Sequence, residues 1–249
     1  MGVSDCPYFC ELVEQRRNSE QIQNTSFDKL KVWTGSKIND LFDAWNMADI
    51  IIIEVLYNTS LSWADLFVLS QLQHIADLSF YYLFNTIETG RVITGCLLIL
   101  LKSYSYRIFS TNHHSGPIVN DIMENIQKLM KNDSMGRKAK IYSGHDATIV
   151  ALLSLFQANY IHQPPYCSTI FMDLYHISDN NTYTLKLEYL NSTNGGTTQP
   201  IQLPPCDNLM CSIDILNRWL KNRLPSNDMK MECISRRLNQ AFDQLKYYI

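Results

Sequence analysis

His145 and Asp146 stand side by side in Lys138-Ala-Lys-Ile-Tyr-Ser-Gly-His-Asp-Ala-Thr-Ile-Val-Ala-Leu-Leu. The pair could hold an anion and move a proton. A charged imidazole donates a strong hydrogen bond, and a carboxyl gives or takes a proton. The residue pattern predicts a short strand, a tight turn at Gly144 and then a helix. Such a junction aims backbone N–H groups and the positive end of a helix dipole at whatever lies in front of it, and phosphate is the usual occupant. A plainer reading is also open. An Asp ahead of a helix is most often an N-cap, its carboxylate taking an N–H two or three residues on, and the His beside it is most often only polar.

The elements that must position this pair read as helical first and mixed afterwards. Residues 5–35 predict two weakly amphipathic helices. A helix with a capped start at Ser36, supported by Asp40, presents Leu41, Trp45, Ala48 and Ile52 on one face. A long helix is predicted over about 63–88, with Leu66, Leu69, Leu72, Ile75, Leu78 and Tyr82 inward, and another over about 117–131 with Pro117 in its first turn. Beyond the His145–Asp146 helix, 168–177 and 182–190 predict a hairpin turning at Asp179-Asn-Asn, with Tyr183, Leu185, Leu187 and Tyr189 on one face. Residues 212–220 and 234–248 predict two late helices.

With 249 residues, 46% hydrophobic and 18% charged, the chain can bury a core. A net charge of −3 argues against nucleic acid as a partner. No apolar run is long enough to span a membrane, and the first residues do not read as a signal peptide. The cysteines and sequons point to the secretory pathway nonetheless. Cys206 and Cys211 bracket a short polar loop, which suits a small disulfide or two free thiols. N-x-S/T sequons occur at Asn24, Asn58, Asn132, Asn180 and Asn191. A secretory chain without a leader suggests that the natural N-terminus lies upstream of Met1. No Cys/His cluster completes a zinc site, so a metal is not expected, and no organic cofactor is implied. Residues 96–115 break the pattern and read as an insertion or as translated non-coding sequence; His113 and His114 within them lack further ligands.

The Tyr142-Ser-Gly-His-Asp-Ala-Thr-Ile-Val-Ala-Leu segment resembles the His-Asp signature of the histidine acid phosphatases. The resemblance extends in order through Asp5-Cys-Pro-Tyr-Phe-Cys, Asp40-Leu-Phe-Asp-Ala-Trp, Tyr57-Asn-Thr-Ser-Leu-Ser-Trp-Ala, Gly116-Pro-Ile-Val-Asn-Asp-Ile, Pro164-Pro-Tyr, Leu203-Pro-Pro-Cys and Met231-Glu-Cys. It covers nearly all of residues 4–234, apart from the stretch after Gly95. It implies an α/β fold with a phosphoglycerate-mutase-like core in 133–249 and a mainly helical second domain in 1–132. It implies phosphomonoester hydrolysis, a secreted or lysosomal parent protein, a possible homodimer, and disulfides Cys6–Cys233 and Cys206–Cys211. The positions of the family's third bridge look like Ile53 and Thr169, which leaves Cys10, Cys96 and Cys167 free. Asp146 matches the general acid that later activates water, and His145 matches a phosphate-binding histidine.

The departure carries equal weight. The family attacks phosphorus with the histidine of an Arg-His-Gly motif and clamps the phosphate with arginines. None of the six histidines, His74, His113, His114, His145, His162 and His176, follows an arginine. The resemblance therefore implies that a part of the family's core, carrying the nucleophile, precedes Met1. The expectation is a truncated chain that is inactive alone. The alternative is a non-catalytic secreted binding fragment.

Overall fold

The computed structural model describes residues 7–17, 27–39, 41–57, 65–85, 118–131, 136–158, 160, 162–179, 181–221, 223 and 224. In chain order the elements are helices α1 (Pro7–Arg17), α2 (Phe27–Thr34), α3 (Leu41–Leu56), α4 (Leu66–Phe84), α5 (Ile118–Met130) and α6 (Asp146–Leu155). Strands β1 (Thr169–Ile177), β2 (Thr182–Leu190), β3 (Gln199–Ile201) and β4 (Cys211–Ser212) follow, and then α7 (Ile213–Leu220). A sheet with helices makes this an α/β chain. Two compact units interleave in sequence: residues 1–10, 86–159 and 164–249 form one, and residues 11–85 and 160–163 the other. α5, assigned from sequence to the helical domain, thus falls in the unit that holds the sheet. The predicted helix over 234–248 and residues 96–115 lie outside the described residues.

In the helical unit, α3 packs on α4. Ala44 and Ala48 are fully buried, and their small side chains let the facing helix approach closely. Trp45 and Phe80 meet edge to face, 5.4 Å between ring centroids. The buried stripe of α4 is Val68, Leu72, Ile75, Ala76, Ser79 and Phe80, whereas Leu66 lies exposed. The sequence reading chose residues spaced by threes. Each step of three falls about 60° short of a full turn, so that row winds around the helix instead of holding one face. α4 starts at Leu66 rather than 63 because the Asp65 carboxylate accepts the Val68 N–H at 2.8 Å. Ser36 is likewise not a cap. The helix begins at Leu41, and Asp43 reaches back to the Asn39 backbone N–H at 3.0 Å. α2 ends at Gly35, whose φ of 65° suits a residue without Cβ, and whose N–H closes on the Lys31 carbonyl at 2.8 Å.

Residues 160–163 belong to this unit. Gln163 donates its backbone N–H to Asp77 at 2.8 Å and its side-chain amide to Asp49 at 3.0 Å. Burial holds the neighbouring His162 below the ordinary imidazole value, although the Asp77 charge and a backbone hydrogen bond at Tyr160 oppose the shift. The folded chain therefore takes up this proton later than the unfolded chain. The contribution of His162 to stability is complete above the ordinary value of 6.5 and is lost as pH falls through the folded value. Thermal unfolding followed from neutral to acid pH should show a smaller acid-side fall in midpoint for His162→Gln than for the parent. Equal falls would remove His162 as the cause.

In the other unit, β1 and β2 form a hairpin paired from Thr169↔Leu190 to Ile177↔Thr182. Asn181 takes the left-handed turn position at φ 51°, a conformation Asn tolerates. β3 and β4 both pair with the other side of β2, and every pairing is antiparallel. β2 is thus the centre, with Leu185, Leu187 and Tyr189 buried beside Ile201, Leu203 and Cys211. α7 adds Ile213, Leu216 and Leu220, one helical stripe, to the same core. Cys206 and Cys211 are joined by a disulfide with Cα atoms 5.4 Å apart, which ties the loop to β4. Closing so short a loop restricts the unfolded chain modestly. Cys206→Ser with Cys211→Ser should lower stability by roughly 2 kcal/mol in denaturant titration.

Candidate functional site

The His145–Asp146 junction is built from an irregular segment, residues 136–145, and a buried helix. α6 is apolar nearly all round, and Thr148 and residues 150–155 are buried, so its first turn is held by its own core contacts. Residues 136–145 carry no strand ladder among the described residues, which corrects the short strand expected ahead of the turn at Gly144. The alternation of a strand persists all the same. Lys140 and Tyr142 are half-buried, while Ala139 and Ser143 are exposed and Ile141 is 95% exposed. Extended backbone becomes a strand only beside a neighbour that takes its hydrogen bonds, and here the contacts come from a helix instead.

That helix is α5. Asn125 exchanges two bonds with the Arg137 backbone: its side-chain amide donates to the carbonyl at 2.9 Å, and its Oδ1 accepts the N–H at 2.9 Å. Asp121 accepts from the Lys140 ammonium at 2.8 Å and, at the same Oδ2, from the Tyr142 hydroxyl. Burial pushes the Asp121 carboxyl up, but the bonds from Lys140 and Tyr142 and the charges of Lys140 and Lys128 outweigh it and hold it below the usual range. Burial and the Asp121 carboxylate raise the Tyr142 hydroxyl well above its ordinary value, so it stays a donor.

His145 is the residue before the first turn of α6, with φ −108° and ψ 168°. Its carbonyl accepts from Thr148 N at 2.9 Å and Ile149 N at 3.2 Å, and its own N–H donates to Thr148 Oγ1 at 3.2 Å. The imidazole belongs to an exposed residue. Asp146 is the first helical residue, half-buried, and its Oδ1 accepts the adjacent Ala147 N–H at 2.7 Å. It is not the N-cap of the plainer reading, since His145 holds that position and Asp146 is the first residue inside the helix. Gly144 has a steric reason: a Cβ there would lie 3.1 Å from the Cβ and Oγ1 of Thr148. Gly144→Ala should displace Thr148, weaken its bond from His145 and lower stability by about 1 kcal/mol in denaturant titration.

Of the other residues singled out from sequence, Asn191 lies exposed at the end of β2 and accepts from the Tyr189 hydroxyl at 3.3 Å. Cys167 is an exposed free thiol. His74 is exposed on α4, and His176 pairs with Asn181 at 2.9 Å. Cys6, Cys233, Asn24, Asn58, Asn132, Asn180, His113 and His114 lie outside the described residues. Among the described residues no three His, Cys, Asp or Glu side chains gather as a metal group, and no helix is long and apolar enough to cross a membrane. Sequence reasoning missed Asp121, Asn125 and Thr148. The signal for the first two was an acid and an amide four apart on a helix, opposite a Lys and a Tyr two apart.

Residues 6–189 match the model of the histidine phosphatase superfamily (branch 2), and the chain belongs to that family. Its relatives carry more specific names. The lysosomal acid phosphatase of Xenopus laevis is 28% identical over 238 residues, across 93% of this chain and 50% of the relative. The prostatic acid phosphatase of Rattus norvegicus is 27% identical over 95% of this chain and 58% of the relative. The venom acid phosphatase Acph-1 of Apis mellifera is 27% identical over 87% of this chain and 50% of the relative. The chain thus spans about half the length of the curated relatives it matches. A phytase from Citrobacter braakii shares the fold, with a TM-score of 0.54, 12% identity, and coverage of 92% of this chain and 68% of that one.

Proposed function

We propose that this chain carries the proton-donor half of an acid phosphatase site: His145 donates a hydrogen bond to a phosphate oxygen, and Asp146 protonates the leaving group and then activates water. The observation that carries the reading is the Gly144–His145–Asp146 turn, with an exposed His and a half-buried carboxyl at the start of a ten-residue helix inside the matched residues 6–189. The helix start favours the anion. The acidic names of the relatives fit a carboxyl that must be protonated to act. The substrate class is a phosphomonoester, and the setting is the lysosome or the outside of the cell, as the relatives' names and the sequons suggest. The attacking imidazole and the arginine clamp are not supplied by Arg-His-Gly within these 249 residues, so the chain binds phosphate without turning it over. Titrating inorganic phosphate at acid pH while following the His145 ring resonances, assigned with His145→Gln, tests the reading. A saturable shift confined to His145 supports it. Resonances that stay put at tens of millimolar phosphate would falsify it.

A further inference from the structure

The geometry points to α5 as the positioning element of the His145–Asp146 turn: Asp121 and Asn125 grip residues 137–142 and so set where the imidazole and the carboxyl stand. This inference rests on the phosphate reading of the turn. Asp121 and Asn125 are four residues apart, so they share one face of α5. Their targets lie within one short segment: the backbone of Arg137 and the side chains of Lys140 and Tyr142. Asn125 holds Arg137 by a donor and an acceptor at 2.9 Å each, the same two-bond exchange that an antiparallel strand residue offers its partner. Asp121 takes Lys140 at 2.8 Å and Tyr142 on one oxygen. The side-chain amide thus takes the two backbone bonds that a ladder partner would take at Arg137, and the carboxylate holds two side chains further along. On the far side of the turn, Thr148 fixes His145 through its hydroxyl at 3.2 Å and its backbone N–H at 2.9 Å. Only Ser143 and Gly144 lie between the two anchors, which leaves the turn little freedom.

A half-exposed ion pair that merely added stability would act on the whole unit alike. A clamp acts locally. Backbone amides of 137–145 should exchange hydrogen faster by about tenfold in Asp121→Asn and in Asn125→Ala, because charge-assisted and two-point bonds are lost there. Exchange in β2 and the thermal midpoint should stay near the parent's. The phosphate-induced shift at His145 should weaken about threefold or more in both variants, as donors move off a binding geometry. Asp121→Glu, which keeps the carboxylate, should recover most of the protection.

All measurements use the full 249-residue chain with inorganic phosphate as the probe. Unchanged exchange over 137–145 in both variants would overturn the clamp. So would a uniform rise across the unit with a lowered midpoint, which is the mark of plain destabilisation. Variants with local loosening but a parent-like phosphate response would show that the clamp does not position the site. A parent chain whose His145 ignores phosphate, with the clamp's local protection intact, sinks the phosphate reading instead.

Discussion

On p-nitrophenyl phosphate at acid pH, the 249 residues are expected to release phosphate no faster than buffer, and Asp146→Ala is expected to change nothing. Hydrolysis through a covalent intermediate needs a nucleophile first and a proton second. On the proposed reading Asp146 supplies the second. A general acid contributes about 10²–10⁴-fold only when there is an attack for it to assist. Residues that act as one catalytic unit do not compensate for one another, and removing a nucleophile costs roughly a millionfold. The expected deficit is therefore far larger than any residual contribution of the turn. Two results would reverse this view. One is turnover by the chain alone that Asp146→Ala abolishes. The other is a trapped phosphoenzyme on any of its six histidines. Joined to a relative's segment bearing Arg-His-Gly, the same chain should gain turnover, and Asp146→Ala should then remove about 10²–10⁴ of it.

The hairpin was legible because its signal is local. Thr182–Leu190 alternates strictly, and the structure buries Leu185, Leu187 and Tyr189 in that same alternation. α5 and α7 were legible for a similar reason, with apolar residues at three- and four-residue spacing. α4 was placed, and Leu72 and Ile75 of its expected inner side are buried, but Leu66 is exposed because a row spaced by threes drifts around the helix. The strand before the turn was misread for a different reason. Lys140-Ile-Tyr has a strand's alternation, but a ladder is a property of two segments and no single segment reveals it. The site was visible only in part on the same grounds. His145 and Asp146 are adjacent in sequence and therefore easy to see. Asp121 meets Tyr142 across a separation of 21 residues, so its signal shows only when two separate segments are read against each other.

Leu187→Ala should cost about 3 kcal/mol, since truncating a fully buried Leu removes transfer free energy and leaves a cavity. Leu187 is 1% exposed. It sits in the one described strand with partners on both sides, opposite Met172 in β1 and Ile201 in β3. Leu185 and Tyr189 flank it on the same face, both buried, so the gap has few side chains able to swing in. Small domains are stable by only about 5–15 kcal/mol, so this one change removes a substantial share. The neighbouring Lys186 gives the control. Its ammonium meets Glu188 at 3.0 Å on the opposite face, with both side chains partly exposed, and such pairs contribute little. Lys186→Thr should leave the unfolding midpoint unchanged. Urea unfolding read by hydrogen exchange in the β2 peptides separates the two. Equal midpoints for Leu187→Ala and the parent would mean that this face of β2 is not the core of its unit.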